Sequence, residues 1–536
     1  MKNSAIIPLL SLPAVAVAAA PAADAPQRPN ILAIVCEDIS CYLGCYGDPV
    51  CVSPNLDRFA QEEAIRHTRM FTCVGVSAPS RYSLITARYS SNDGANYMRV
   101  NEFDKDHEAV PPAGVKCFTE YLRAAGYYCT NNAKTDYQFK APLSAWDESS
   151  NKAHWKNGPE GAPFYAVFNL NVTHESQIWA HTNDPLSVDP AQVPLPPYYP
   201  DNAVVRHDIA VMYSNITRMD KEFQALCDEV KQAGKWENTI VIWYSDNGGP
   251  TPRGKREIMD SGSNVPFMIR FPDRRGAGTV SNDLNMFIDI PATIMALAGV
   301  EQPKNIHGKP MYGVKSVEKR KYVFGATDRF DEQVEKRASI RDGRYLYIRN
   351  YMPQQSLYRS NAYRLRMAMM KNMEQLYKEG KLDAVQSLWF NTPAEAESLY
   401  DCDTDPHNVV NLATQSGYAS LLKKMRAAYE KEWIAAYNSK WVKYREEDFV
   451  KEAHPEGVKP RAPKPAAEIK NGKLTIVNPS SELSYCYQVN GSGLKGNKAH
   501  WFLYSKPVEV KEGDQLTLVA IRAGWKNSDK TVVTYE

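Results

Sequence analysis

The sequence predicts an α/β fold with a mainly parallel sheet that is sandwiched by helices. Short runs that are apolar throughout, such as residues 31–36 (ILAIVC) and 163–172, are typical of strands buried on both faces of a sheet. These runs alternate along the chain with stretches of helical periodicity, as expected when helices connect parallel strands. Polar or ionisable residues follow several of the runs at once, and ligands of such sheets bind where the strands end.

The first elements surround a serine-rich segment. The strand at residues 31–36 leads through a loop rich in Gly and Pro into a capped amphipathic helix at residues 53–63. Pro79 fixes its own φ angle and suits the first turn of a helix. Residues 80–88 are therefore predicted to form the next helix.

The middle of the chain continues the alternation of helix and strand. Residues 115–125 have helical spacing and end at Gly126, and a short strand at residues 127–130 follows. After the apolar strand at residues 163–172, a long helix is predicted from about residue 206 to 234. Its apolar residues recur at every third or fourth position, which indicates a helix face in the core.

The last part of the chain changes from this pattern to antiparallel signals. Strands at residues 238–244 and 266–272 complete the predicted sheet. Residues 321–350 predict a strand, a charged loop and a hairpin with an Asp-Gly turn. A helix is predicted at about residues 418–438.

These elements divide the chain into a signal segment, two main parts, a linker and a terminal domain. The predicted boundaries are 1–25 for a signal peptide, 28–330 for the main α/β domain, 331–450 for a smaller C-terminal subdomain, 451–466 for a linker and 467–536 for a small β-domain. The terminal domain is expected to be either a structural appendage or a carbohydrate-binding module that uses Trp501 or Trp525.

The N-terminus and the composition restrict the location and the partners. Lys2 precedes an apolar run at residues 5–20, and small residues follow, as in a secretory signal peptide. The run is short for a membrane span, so the mature protein is expected to be secreted or periplasmic without a transmembrane segment. A net charge of +2 gives no electrostatic case for nucleic acid. The ten cysteines include no C-x-x-C pair, and their pairing is open.

Candidate site residues lie directly after the predicted strands. They are Glu37-Asp38, Lys134, His174 and Asp246-Asn247. Adjacent carboxylates at the end of a buried strand repel each other unless a cation offsets the repulsion. Hard oxygen ligands suit Ca²⁺ or Mg²⁺, and a solvated acidic loop is the alternative. Four strand ends with carboxylates and cations favour a site for a metal and an anion.

The segment Ser77-Ala78-Pro79-Ser80-Arg81 combines an oxygen nucleophile with a cation at a predicted helix N-terminus. Free N–H groups and partial positive charge attract anions there. The planar guanidinium of Arg81 suits a tetrahedral oxyanion. A serine-rich helix cap followed by an ordinary surface arginine is the alternative.

Together these motifs resemble the formylglycine-dependent sulfatase family over residues 28–412. The family signature is Cys or Ser followed by x-Pro-Ser-Arg, and residues 77–81 are similar to it. The segment RPNILAIVCED at 28–38 resembles the family's opening motif, SDNGG at 245–249 its second metal motif, and residues 398–413 its closing motif. The resemblance implies an alkaline-phosphatase-like fold.

The resemblance also implies a cofactor, a modification and residue roles. Ser77 would be oxidised to formylglycine by a maturation enzyme, and one hydroxyl of the hydrated aldehyde would attack sulfur. The Ca²⁺ ligands would be Glu37, Asp38, Asp246, Asn247 and Ser77. Arg81 would hold the hydrate, and the sulfate would contact Lys134, His174 and Lys255. His174 would protonate the leaving oxygen.

Two positions depart from the family pattern, and four residues are predicted to bind the sugar. Glu37 stands where the first metal motif usually has aspartate, and Asp136 stands where Lys-x-His is common. Asp136 is therefore given a role in substrate binding. Arg329, together with Asp328 and Asp331, is predicted to contact the sugar, with a solvated charged loop as the alternative.

The predicted function is that of a secreted sulfatase acting on sulfated glycans such as glycosaminoglycans or mucin sugars. The segments THES and KTD also resemble N-sulfoglucosamine sulfohydrolases, so cleavage of an N-sulfate is an alternative. A phosphohydrolase of the related fold is another, although it needs a richer two-metal set of Asp and His. A binding protein for sulfated glycans with unmodified Ser77 is the alternative outside enzymes.

Overall fold

A computed structural model describes residues 28–99 and 108–536. The predicted signal peptide, residues 1–25, lies outside the described residues. In the described part of the chain, no helix is both long enough and apolar enough to cross a membrane.

The central sheet is mixed and mostly parallel. Its strands are β1 (Asn30–Cys36), β2 (Ala64–Phe71), β3 (Tyr128–Asn132), β4 (Glu148–Ser149), β5 (Phe164–Leu170), β6 (Thr239–Ser245), β7 (Asn264–Arg270), β8 (Val280–Ser281) and β9 (Asn285–Met286). Their order is β4-β3-β5-β1-β6-β7-β2-β8, and β9 pairs with β2. The strands from β4 to β6 in this order are parallel, whereas β7 is antiparallel to both neighbours.

Helices cover both faces of this sheet. They are α1 (Pro54–Glu62), α2 (Ser77–Thr86), α3 (Phe118–Ala124), α4 (Ser176–Ala180), α5 (Ala203–Gln232), α6 (Asp260–Ser263) and α7 (Asp289–Leu297). Alternate residues of β1 enter two separate cores: Val35 shares one with Tyr82 of α2, and Ile34 shares the other with Phe223 of α5. Burial on both faces explains why this strand is apolar throughout.

The second half of the chain adds antiparallel sheets and more helices. The strands β10 (Val323–Thr327), β11 (Arg337–Arg341), β12 (Tyr345–Asn350) and β13 (Glu397–Asp401) form one sheet in this order. The helices are α8 (Ala368–Lys378), α9 (Ala384–Ser387), α10 (Ala419–Ala428), which continues as the π-helix Tyr429–Asn438, and α11 (Glu446–Ala453).

The C-terminal strands form two small sheets over a core of their own. The strands are β14 (Ala466–Lys470), β15 (Lys473–Val477), β16 (Ser484–Val489), β17 (Phe502–Leu503), β18 (Val508–Glu509), β19 (Gln515–Ile521) and β20 (Thr531–Thr534). They dock against the catalytic part, where Arg123 donates to the carbonyl of Trp501 at 2.7 Å and His500 contacts Asp147 at 3.1 Å. The proposed domain boundaries stay a prediction.

Most predicted elements are present, and β2 is the longest strand that was missed. The predicted strands correspond to β1, β3, β5, β6 and β7, and the long helix is α5. Strand β2 has the sequence AIRHTRMF, in which His67 and two arginines interrupt the apolar pattern. The ten cysteines all lie in the described residues and none forms a disulfide.

Candidate active site

Ser77 is the first residue of α2 and is only 2% exposed. Its hydroxyl donates to Oδ1 of Asn247 at 3.0 Å. The preceding loop comes unusually near the loop after β6, because a Cβ at Gly75 would lie 2.3 Å from the carbonyl oxygen of Glu257. Only glycine permits this approach, and it brings Ser77 to the segment that carries Lys255.

Three carboxylates meet beside Ser77 at the ends of adjacent parallel strands. Glu37 and Asp38 follow β1, and Asp246 follows β6. One oxygen of each lies within 4.8 Å of the others, and all three residues are 0% exposed. Asp38 has φ +52°, in the left-handed region that non-glycine residues seldom adopt outside functional or turn positions. The backbone N–H of Asp38 donates to Asp246 at 3.2 Å.

Arg81 links these carboxylates from the second turn of α2. Its guanidinium donates to Asp246 at 3.0 Å, to Glu37 at 2.9 Å and to Oδ1 of Asn169 at 2.7 Å. Burial alone would raise the pKa of Glu37, but the neighbouring Lys134 and Arg81 outweigh it and hold that pKa below its ordinary value. Glu37 is therefore an ionised carboxylate at neutral pH.

The predicted sulfate contacts surround the same carboxylates. Lys134 Nζ lies 2.6 Å from Glu37, and Lys255 Nζ lies 2.7 Å from Asp38. His174 Nε2 lies 4.0 Å from Asp38, while its Nδ1 is 2.8 Å from the hydroxyl of Ser176. Burial and then the charge of Lys255 lower the pKa of His174. For Lys255, burial lowers the pKa, but Asp38 and Glu175 raise it above its ordinary value.

Three residues that hold this site together were not predicted from the sequence: Glu175, Arg256 and Asn169. Glu175 forms a bidentate pair with Arg256, with both N···O distances 2.9 Å, and lies 3.2 Å from Lys255. Asn169 positions Arg81 and also donates to Asn131 at 3.0 Å. Two sequence features could have pointed to them: Asn169 is a polar residue within an apolar strand, and Glu175 directly follows His174.

Three of the predicted sugar contacts lie in different surroundings. Asp136 lies 3.8 Å from Lys134 and is one-quarter exposed at its side chain, next to the site. Asp328 is buried and accepts from the indole of Trp441 at 2.8 Å. Arg329 pairs with Glu446 at 2.6 Å. These contacts join Asp328 and Arg329 to the C-terminal helices, and their role in sugar binding stays a prediction.

The donor set of the acidic cluster fits a hard divalent cation. The carboxylates of Glu37, Asp38 and Asp246, with Oδ1 of Asn247, offer oxygen ligands, as Ca²⁺ prefers. A second group of Asp38, His174 and Glu175 also has ligand atoms within 4.8 Å. It fits Ca²⁺ less well, because one of its three ligands would be an imidazole nitrogen of His174 and not an oxygen.

Comparison with known proteins identifies the family. The Sulfatase profile matches residues 29–300, and the profile for the C-terminal part of N-sulphoglucosamine sulphohydrolase matches residues 253–389. An ulvan-active sulfatase of Formosa agariphila is 36% identical over 545 residues, which span 94% of this chain and 91% of that relative. The chain belongs to the sulfatase family. It is thus an enzyme of the class that hydrolyses sulfate esters, and the predicted resemblance is confirmed.

A more distant relative agrees with this assignment, and two solved structures share the fold. Human N-sulphoglucosamine sulphohydrolase is 24% identical over 74% of this sulfatase and 88% of its own length. A solved 2-O GAG sulfatase superposes with a TM-score of 0.58 at 17% identity, over 78% of this chain and 94% of the other. The phosphonate monoester hydrolase of Agrobacterium radiobacter gives a TM-score of 0.57 at 16% identity, over 84% and 100%. These two structures show the fold alone, and the predicted fold class is confirmed.

Proposed function

We propose that this sulfatase removes sulfate groups from a sulfated polysaccharide, with formylglycine made from Ser77 and with Ca²⁺ as its metal. One observation carries the proposal. The Ser77 hydroxyl, at a helix N-terminus and 3.0 Å from Asn247, lies where three buried carboxylates and their cationic partners meet.

The metal and the modification would supply what the unmodified residues lack. The proposed Ca²⁺ ligands are Glu37, Asp38, Asp246, Asn247 and residue 77. When bound, Ca²⁺ polarises sulfate oxygens. The formylglycine hydrate supplies a nucleophile and, after attack, a route to release the bound sulfate. Arg81 fixes the two metal-binding strand ends relative to residue 77, because it contacts both Glu37 and Asp246.

Three side chains are proposed to handle the sulfate and the leaving group. Lys134 and Lys255 bring positive charge beside the carboxylates, where an anionic sulfate would otherwise be repelled. His174 would donate a proton from Nε2 to the departing sugar oxygen, since the contact of Nδ1 with Ser176 orients the ring. Its lowered pKa makes the protonated form of His174 a stronger acid and also a less populated one at neutral pH.

The substrate proposal rests on the relatives. The ulvan-active sulfatase covers nearly the whole chain, which makes ulvan the first polymer to test. Sulfated glycosaminoglycans and mucin sugars, the substrates expected from the sequence, should be tested beside ulvan. An N-sulfate is the second candidate, because the profile of the N-sulphoglucosamine sulphohydrolase C-terminal part matches residues 253–389.

Export and maturation complete the proposal. The chain would be secreted or periplasmic through the signal peptide at residues 1–25. Its partners would be the sulfated glycan and a maturation enzyme that oxidises Ser77. Mass spectrometry of the peptide around residue 77 should show a loss of about 2 Da after co-expression with such an enzyme, as expected when an alcohol becomes an aldehyde.

Sulfate release from ulvan, glycosaminoglycan and mucin oligosaccharides and from N-sulfoglucosamine tests the function. We expect release by the matured enzyme, no release by Ser77→Ala and normal release by Ser83→Ala. Ser83 is a matched control, because it is a buried serine of the same helix whose hydroxyl donates to the carbonyl of Pro79 at 3.1 Å. Equal release by Ser77→Ala and the wild type would refute the role of residue 77.

A further inference from the structure

Two aromatic rings and a cation extend outward from His174. The ring centroid of Tyr363 lies 6.4 Å from that of His174, with an interplanar angle of 61°. The ring of Trp179 lies 5.3 Å from Tyr363 at 77°, so the two rings form a corner. The guanidinium carbon of Arg366 lies 5.2 Å from the centre of the Trp179 ring. Trp179 and Tyr363 are partly exposed, and Arg366 is exposed.

The segment that carries Tyr363 is fixed to the active site on both sides. Before Tyr363, Asn361 donates to Asp331 at 2.8 Å, and Asp331 pairs with Arg256 at 3.0 Å. After Tyr363, the guanidinium of Arg364 donates to the carbonyl of Lys255 at 2.7 Å. A ring held between two such contacts loses little freedom when a ligand packs on it.

The position of His174 determines what these rings can contact. A general acid must lie within hydrogen-bond distance of the oxygen it protonates. The sugar that carries this oxygen must therefore lie directly against His174, on the exposed side of the ring. The ring of Tyr363 neighbours that of His174, and the ring of Trp179 neighbours that of Tyr363.

Arg366 adds a charge to the outer end of this wall. It forms no ion pair within residues 28–99 and 108–536, unlike the buried arginines of the catalytic cluster. A planar guanidinium next to an aromatic ring suits a carboxylate or sulfate on a sugar whose apolar face lies on that ring. A polysaccharide with several anionic groups offers such a second anion, and a singly sulfated monosaccharide does not.

We propose that Tyr363 and Trp179 form the wall of the sugar subsite next to His174, and that Arg366 binds a second anionic group of the polysaccharide. This inference rests on the proposed function for the identity of the ligand. The substrate would then be an anionic oligosaccharide. The enzyme would bind at least one anionic group besides the sulfate that it removes.

Binding and turnover are measured separately, so that the two proposals can fail independently. Calorimetry uses the full-length Ser77→Ala protein with sulfated ulvan oligosaccharides, alone and with Tyr363→Leu, Trp179→Leu or Arg366→Ala added. Sulfate release uses the same substitutions in the matured enzyme. Trp525→Leu tests the alternative that the C-terminal β-domain binds the glycan. Tyr345→Leu is the matched control, since Tyr345 is also partly exposed, with the guanidinium carbon of the exposed Arg344 5.1 Å from its ring centre.

We expect each aromatic substitution to weaken binding and raise KM by about tenfold or more, as for aromatic residues central to an interface. Tyr363→Phe should retain binding, because the ring is kept. Arg366→Ala should raise KM for oligosaccharides in a salt-dependent way and leave a singly sulfated monosaccharide unaffected. Tyr345→Leu should change neither quantity, and equal melting temperatures would exclude misfolding as the cause.

Each outcome decides between the proposals. Unchanged binding in Tyr363→Leu and Trp179→Leu, with sulfate release intact, would overturn the subsite and leave the proposed function standing. Binding that depends on both rings, without sulfate release by the matured wild type, would support the subsite and refute the function. Equal losses in Trp525→Leu would place the glycan on the C-terminal β-domain instead and overturn the inference.

Discussion

Replacing Arg81 by methionine tests whether the acidic cluster binds Ca²⁺. Arg81 is 3% exposed and pairs with Glu37 at 2.9 Å and Asp246 at 3.0 Å. Methionine roughly keeps the volume of the side chain and removes the charge. Breaking a buried ion pair from one side costs about 3–5 kcal/mol, because the remaining charge has lost its partner.

A bound cation should offset part of this loss. Glu37 keeps Lys134 at 2.6 Å in the variant, whereas the oxygen of Asp246 that Arg81 contacted loses its cation. In a chelator, the free energy of unfolding should fall by about 3–5 kcal/mol. Calcium at about 100 times its Kd stabilises a binding protein by about 2.7 kcal/mol. The increase in the free energy of unfolding on adding calcium should be larger in Arg81→Met than in the wild type. The loss of the guanidinium charge makes the cluster more negative and so strengthens cation binding.

The assay is denaturant unfolding in EDTA and in CaCl₂, with Arg337→Met as the control. Arg337 is 2% exposed and also contacts two carboxylates, Glu257 at 2.9 Å and Glu335 at 2.8 Å. It lies outside the proposed ligand set. In EDTA, we expect Arg337→Met to lower the free energy of unfolding by a similar amount. Adding calcium should raise that free energy by no more than it does in the wild type. Equal calcium gains in the two variants would refute the placement of the metal beside Arg81.

Three further predictions concern other parts of the molecule. Asn169→Ala should lower kcat/KM by about tenfold with little change in KM, because Arg81 loses its acceptor at 2.7 Å; steady-state sulfate release measures both. Burial raises the pKa of Asp328 to about 7, above its unfolded value of about 4, so stability should fall as pH rises between these values. Asp328→Asn should lack this fall in urea unfolding, and an unchanged pH slope would contradict it. Arg123→Ala should expose the C-terminal strands to proteolysis without altering sulfate release, since it removes the 2.7 Å contact with Trp501.

The sequence could predict the acidic and cationic cluster because of how a parallel sheet is built. Glu37 and Asp246 are far apart in the chain, but each follows an apolar strand, and parallel strands end at one edge. The structure shows that their two strands are direct neighbours, with Cys36 opposite Ser245. Neither strand alone indicates its neighbour, so the sequence predicted the shared edge and left the order of the strands open.

The parts that could not be predicted depend on contacts between irregular segments. Strand β2 is central to the antiparallel side of the sheet, yet its arginines and His67 obscure a strand pattern. Asp331 and Asn361 lie in loops, which carry no periodic signal. Their link to Arg256 exists only because the segment after the first catalytic half folds back over the loop after β6.

The structure therefore separates the chemistry of this sulfatase from its proposed specificity. The charged cluster lies on strand ends and on α2, which the central sheet holds rigidly. Tyr363 lies on a loop that contacts the cluster through Asn361 and Arg364. Changing residues between these two contacts should alter which sugar is accepted while the cluster keeps its geometry. Replacing Asn361 or Arg364 should disturb both the specificity and the cluster. Asn361 holds Asp331, the partner of Arg256, and Arg364 holds the backbone of Lys255.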